Sequence, residues 1–321
     1  MRRRILVTGV GGQVAFPLAR SLVAAGHEVW GLARLRKPGE RERLEAAGIR
    51  PFAADLAEPD FGDLPRAFDA VLNFAVAKSG KWSRDLAANA EGLGLLMAHC
   101  RESGALLHCS STAVYAPAGS EPRAEDAPLG DHHRALLPTY SICKIAAETV
   151  ARTVARTFRI PTTIARLNVP YGDAGARGPT SESGSAQRAG GERSPWGWPA
   201  IHLAQILAGQ PIAVTADGPH VYNPIHDDDL AAMLPKLVGA ATVPATTVNW
   251  GGSEAVSLED WCRFLGERVG RAPRFEVAPF AIPSACIDPT RMHALAGRTT
   301  VAWRDGMQRM LTALGKTSAE R

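Results

Sequence analysis

The 321-residue chain has no uninterrupted apolar stretch of about eighteen residues, the least a membrane-crossing helix needs, so no membrane partner is expected. Cysteine is scarce and unpatterned. Cys100, Cys109, Cys143, Cys262 and Cys286 are an odd number without paired metal-ligand spacing, which points to reduced thiols and a cytoplasmic setting. A surplus of one charge is also missing: 36 basic against 32 acidic side chains give a formal net charge of +4, spread along the sequence. No nucleic-acid footprint stands out from that distribution. Met1-Arg2-Arg3-Arg4 carries the charge of a signal-peptide start, but Ile5 onward reads as strand and turn, so no leader is expected. No internal repeat is visible. What is present, 45% hydrophobic and 21% charged residues, suits an ordinary globular enzyme with a large core and one or two domains.

Strand-like runs starting at Ile5, Glu28, Arg50, Ala70, Ala105 and Thr162 alternate with helical stretches up to Pro170. That alternation predicts βαβ units and a parallel sheet. Beyond Pro170 the pattern is mixed: short strands at Ile212–Val214 and Thr247–Trp250, helices at Leu258–Val269 and Trp303–Leu314. The first strand runs into Thr8-Gly9-Val10-Gly11-Gly12-Gln13-Val14-Ala15 and then a helix. Glycines allow a tight turn and close approach of backbone amides to a pyrophosphate, which would sit on the helix N-terminus. Gly9, Gly11, Gly12, Gln13 and Val14 are therefore candidate cofactor-binding residues. At the end of the second strand the position that would carry an acid for a ribose 2′-hydroxyl is Ala33, and Arg34, Arg36 and Lys37 follow. A guanidinium suits a 2′-phosphate, so NADP(H) is favoured and NAD(H) is the alternative. Asp55, after the third strand, is placed for the adenine edge.

Tyr140-Ser141-Ile142-Cys143-Lys144 pairs a phenol with an ammonium at a spacing that shares one helix face. A free phenol has a pKa of about 10. A neighbouring cation lowers it, so Lys144 is expected to make Tyr140 a usable acid or base.

Taken together, these segments resemble the extended short-chain dehydrogenase/reductase family, the NAD(P)-dependent epimerase/dehydratase group, over nearly the whole chain. Thr8-Gly9-x-x-Gly12-x-x-Ala15 resembles its glycine fingerprint, and Asp55-Leu56 its adenine-contacting acid. Asn73-Phe74-Ala75-Val76-Ala77 is similar to the segment beside the cofactor, and Asn89 to the asparagine of the next helix. Cys109-Ser110-Ser111-Thr112-Ala113-Val114-Tyr115 resembles S-S-x-x-V-Y, Tyr140 and Lys144 match Y-x-x-x-K, and Arg166 with Tyr171-Gly172 resembles the segment flanking the nicotinamide. The resemblance implies an α/β, doubly wound parallel sheet (Rossmann), with a smaller mixed C-terminal substrate lobe. Residues 1–170 would bind the dinucleotide; 171–321 would form mainly the substrate lobe, interleaved with the sheet and including a flexible insertion at 173–199. It implies a catalytic set of Ser111, Tyr140 and Lys144, with Val169 also beside the cofactor, and a homodimer through the helices around 89–101 and 139–158. Lys78, Trp82, Ser111, Thr112 and Tyr222 are substrate-side candidates, with Trp196, Trp198 and His226 plausible neighbours. Ser110 and Thr112 also fit backbone-capping hydroxyls, and Asp227 to Asp229 a charged helix start rather than a metal site.

Departures from the family pattern narrow the reaction. Thr112 and Ala113 stand where dehydratases carry an acid, which disfavours sugar dehydration. Tyr222 stands where an arginine often grips a diphosphate, although Arg177 or Arg193 could replace it. The leading expectation is an NADP(H)-dependent oxidoreductase interconverting a ketone or aldehyde and an alcohol. The alternative is an NAD(P)-dependent sugar or nucleotide-sugar epimerase, and a third reading is a non-catalytic cofactor sensor.

Overall fold

The computed structural model describes residues 1–172 and 197–316. Strands β1 (Arg4–Thr8), β2 (Glu28–Ala33), β3 (Ile49–Ala53), β4 (Ala70–Asn73), β5 (Leu106–Ser111) and β6 (Thr162–Leu167) alternate with helices. The helices are α1 (Ala15–Ala24), α2 (Glu40–Ala46), α3 (Trp82–Leu86), α4 (Gly92–His99) and α5 (Tyr140–Phe158). Short strands β7 (Pro170–Tyr171), β8 (Ile212–Val214), β9 (Val221–Tyr222) and β10 (Ile225–His226) follow, with α6 (Trp198–Ala208) between β7 and β8. After α7 (Asp227–Gly239), β11 (Thr246–Trp250) returns to the sheet; β12 (Val256–Ser257), α8 (Leu258–Val269), β13 (Phe275–Val277), α9 (Thr290–Ala296) and α10 (Trp303–Ala313) complete the fold.

The main sheet has seven strands in the order β11-β6-β5-β4-β1-β2-β3, every pair parallel. This is the Rossmann-like, doubly wound arrangement, and the order reverses between β1 and β4. A crevice forms at such a switch point, outside the carboxyl ends of the strands. Strand periodicity sorts the side chains. Ile5 and Val7 face a layer that includes Leu18 and Leu22 of α1, Leu234 of α7 and Met292 of α9. Leu6, one residue out of phase, faces Leu93 and Met97 of α4 and Ala147, Ala151 and Ala155 of α5. The alanine stripe lets α5 lie close against the sheet, which holds its first turn at the strand ends.

A third apolar cluster joins α6, α8 and α10 around Trp261, Leu265 and Met307. Residues beyond 171 thus divide: α7, α9 and β11 belong to the sheet layers, whereas α6, α8 and α10 build the smaller lobe. Strand starts fall within one residue of those read from the sequence, and the Leu258–Val269 helix runs from a Ser257 cap to Gly270. The inserted segment of 173–196, with Arg177, Arg193 and Trp196, lies outside the described residues.

Candidate active site

The glycine turn is shaped by the strand beside it. Gly9 has φ +63, and a Cβ there would stand 2.7 Å from Ala75 Cα, so a larger residue would push the turn away from the segment that follows β4. The Gly12 amide donates to the Gly9 carbonyl at 2.8 Å. The first turn of α1 has neither an acidic residue nor a side-chain cap, which leaves its amides open to an anion. This cradle fits a dinucleotide pyrophosphate, with Gly11, Gly12, Gln13 and Val14 as the residues that would hold it. Gln13 also donates to the Pro170 carbonyl at 3.3 Å, tying the turn to the segment after β6. Thr8 fastens the two strand ends: its hydroxyl donates to Asn73 Oδ1 at 2.6 Å and accepts from the Ala75 amide at 3.1 Å. Asn89 clamps Ala77 from a π-helical turn, accepting from its amide and donating to its carbonyl at 2.8 and 2.9 Å. Val76 is exposed, but the Phe74 ring turns into the core, 6.3 Å from Trp250. A Phe74 side-chain contact with the cofactor is thus corrected. The ring follows the pleat into the apolar layer.

Beyond β2, Arg34 is exposed. Arg36 donates to Asp55 Oδ2 at 3.0 Å, and Arg84 of α3 donates to the same oxygen at 2.6 Å. Burial raises the Asp55 carboxyl, but these guanidiniums and the Ala57 amide bring it net below its ordinary value. Leu56 is core. Arg84 escaped the sequence reading because no motif links it to Asp55 across 29 positions.

Ser111 ends β5, and Tyr140 opens α5. The Ser111 hydroxyl accepts from the Ala113 amide at 3.2 Å, and it lies close enough to the Tyr140 phenol to favour its ionised form. Burial pushes that phenol up to about 12, and the serine contact pulls against it. The expected role of Lys144 needs correction. Its ammonium donates to the Cys109 carbonyl at 2.6 Å, and its charge bears on Lys78, His108 and Cys109 rather than on Tyr140. Helical spacing set the two side chains on one face, but a β5 carbonyl captured the ammonium. A different cation, the Lys78 ammonium, stands over the phenol ring, 4.6 Å from its centroid. Burial, then repulsion by Lys144, lowers Lys78 to about 8.

Other substrate-side candidates divide. Lys78 meets Tyr140, and so does His133, a residue the sequence reading passed over, with rings 5.8 Å apart. Trp198, at the start of α6, stacks on His133 at 6.1 Å. Asp85 organises this corner: it accepts from the amides of Ser79 and Gly80 and from the hydroxyls of Ser79 and Thr139, anchoring the loop after Lys78 to the residue before Tyr140. Burial raises that carboxyl, and its four donors bring it net down. Tyr222 is buried and donates to the carbonyls of Ile282 and Pro283 at 3.0 and 2.8 Å, so it braces the lobe rather than offering a hydroxyl to substrate. Thr112 is likewise consumed, accepting from Asn168 Nδ2 at 3.2 Å. Val169 packs in the lobe core, and Trp82 stands 48% exposed at the start of α3. His226 caps α7 by accepting from the Asp228 amide at 3.1 Å. Ser110, read as a backbone cap, instead donates to Glu148 Oε1 at 2.7 Å. Cys143 is buried. Among the described residues no group of three or more His, Cys, Asp or Glu is placed to hold a metal, and no helix is long and apolar enough to cross a membrane.

Comparison with known proteins agrees with this arrangement. The sequence profile of the "NAD dependent epimerase/dehydratase family" matches residues 5–251. A probable UDP-glucuronate 4-epimerase of Rhizobium meliloti is 22% identical, covering 96% of each chain. A 2'-dehydrokanamycin reductase of Streptomyces kanamyceticus is 25% identical, over 88% of this chain and 70% of its own length. Among solved structures, UDP-glucuronic acid 4-epimerase from Bacillus cereus, with UDP-glucuronic acid and NAD, superposes with TM-score 0.77 at 19% identity, over 97% of this chain and 99% of the other.

Proposed function

The chain belongs to the NAD-dependent epimerase/dehydratase family, of the extended short-chain dehydrogenase/reductase type, and from that premise we propose that it is an epimerase acting on a nucleotide-linked sugar. The observation that carries the reading is the meeting of Ser111, at the carboxyl end of β5, with Tyr140, in the first turn of α5, under the Lys78 ammonium. The bound dinucleotide supplies a hydride acceptor and donor. Tyr140 moves the proton of the reacting hydroxyl, and Ser111 holds the oxygen on which charge develops. Lys144, one helical turn on and held by the Cys109 carbonyl, would donate to the ribose hydroxyls of a bound dinucleotide. For the cofactor, Ala33 offers no carboxylate to repel a 2′-phosphate and Arg34 stands exposed beside it, so NADP(H) is accepted as well as NAD(H). Exposed Leu95 of α4 with Ile142 and Phe158 of α5 supports a homodimer through those helices.

A reductase of a ketone or aldehyde is the second reading. It is favoured by Tyr222, whose hydroxyl is locked onto two carbonyls where a diphosphate-binding cation would stand. Cofactor use separates the two. The purified chain, given catalytic NAD⁺ or NADP⁺ and UDP-glucose, UDP-galactose or UDP-glucuronic acid, should form the C4 epimer without accumulating reduced nicotinamide. Stoichiometric loss of NADPH against a carbonyl panel, with no epimer formed, would replace the epimerase by the reductase.

A further inference from the structure

Two adjacent histidines on the loop before α5 settle each other's tautomer. His132 Nε2 lies 2.8 Å from the Ser284 carbonyl oxygen. A carbonyl only accepts, so Nε2 carries the hydrogen, and a neutral His132 has a bare Nδ1. That Nδ1 lies 3.1 Å from His133 Nδ1, so His133 must donate there. A neutral His133 is left with a lone pair on Nε2. No described residue partners that atom, and it is not among the sealed, unpartnered polar atoms, so it keeps access to solvent.

The surroundings favour the neutral forms. Burial, then His132 and Lys78, hold His133 well below the ordinary histidine range. Burial and Arg123 outweigh the Ser284 carbonyl and set His132 at about 4. Lys78 faces His133 from the loop after β4, Tyr140 from α5 and Trp198 from α6. On its own loop, Asp131 is itself raised by burial, against the pull of Arg134 and Ser141. Among the described residues no close carboxylate therefore recruits a proton to the pair.

We propose that His133 is the substrate-side hydrogen-bond acceptor of this site, its bare Nε2 receiving the hydroxyl hydrogen of a ring alcohol while the Lys78 ammonium donates to the oxygen of a neighbouring hydroxyl. One acceptor and one ammonium, both against the Tyr140 ring, match a polyhydroxylated ring with adjacent hydroxyls. A carboxylate directed at Nε2 would meet a lone pair and is excluded from that position. Trp198 stacks behind the imidazole and limits its rotation. This assignment rests on the sugar reading of the previous section and identifies the group that selects the hydroxyl pattern.

The test uses the full chain with NAD⁺ and ¹⁵N-labelled histidine, the resonances assigned with His133→Gln and His133→Phe. Long-range proton–nitrogen spectra at neutral pH should show His133 Nε2 unprotonated, with its resonance moving when UDP-glucose is added. Calorimetric binding of UDP-glucose should weaken about tenfold in His133→Phe, which keeps the stack but loses the acceptor. It should return to within about threefold in His133→Gln, whose carbonyl restores one. A protonated Nε2, or a His133→Phe variant that binds UDP-glucose as tightly as wild type, overturns the proposal while leaving the epimerase reading intact. If wild type binds none of the three sugar nucleotides, the epimerase reading falls, and this ligand class falls with it.

Discussion

Two turns of α5 bury polar groups in opposite ways. In the first turn, Tyr140 shares its surroundings with Lys78 and His133, and among the described residues no carboxylate answers the ammonium. One turn beyond Lys144, Glu148 takes both ends of the Arg166 guanidinium at 2.9 and 2.8 Å, with Ser110 and Arg152 also bonded to it. Both side chains of that ion pair are almost sealed, at 2% and 1% exposure, and Arg166 adds a contact over the Tyr115 ring at 4.8 Å. Burial raises Glu148, yet these partners bring it net below its ordinary value, whereas burial governs Tyr140 and Lys78 almost unopposed. The lesson is that a satisfied buried charge holds a fold together, and an unsatisfied one is held ready for a ligand.

Breaking the satisfied turn should have the larger effect on stability. Arg166→Ala strands Glu148 in the core and should lower unfolding free energy by about 3–5 kcal/mol, read from denaturant midpoints. Activity per folded molecule at low temperature should fall far less, because Arg166 does not touch the Tyr140 cluster. A full loss of turnover in a folded Arg166→Ala protein would erase the distinction between the turns.

The unsatisfied turn should reveal itself through pH. Lys78, lowered to about 8, is charged below that value and loses its charge as pH rises through it. Substrate affinity should therefore fall on the alkaline side with a midpoint near 8, and Lys78→Met should flatten that limb. A wild-type limb near the ordinary lysine value would instead mean that the ammonium is solvated.

The smallest effect concerns stability in mild acid. His132 and His202 are held at about 4 by burial, and His108 and His133 are also well below the histidine range. The unfolded chain then binds more protons than the folded one below about pH 6.5, so stability is full above that pH and is lost as pH falls toward 4. Chemical-denaturation midpoints across that window should decline, and His132→Gln should decline less. A flat profile would show these imidazoles titrating normally.

Much of the frame was legible because its signals are local. Ile5-Leu6-Val7 and Ala70-Val71-Leu72 are continuous apolar runs, as strands covered on both faces must be, and Gly9 marks a place where the segment after β4 comes too close for a side chain. Ser257 and Gly270 punctuate α8 at both ends. The Tyr140–Lys144 spacing gave the shared helix face but not the Cys109 carbonyl that holds the lysine, since that carbonyl lies 35 positions away. Tyr222 was located by motif, yet its bonds to Ile282 and Pro283 depend on how the lobe folds back. His133 and Asp85 carried no signal at all: a histidine in a loop and an aspartate in a five-residue helix acquire roles only when four segments converge.

Substitution of Tyr140 by Phe tests the central claim, that chemistry resides in the uncompensated first turn of α5. Removing one hydroxyl from a half-buried ring should leave the melting temperature within a few degrees and cofactor binding intact, while epimerisation of the sugar nucleotide drops roughly 10²–10⁴-fold. A Tyr140→Phe protein that keeps wild-type turnover, folded and loaded with cofactor, would contradict the account.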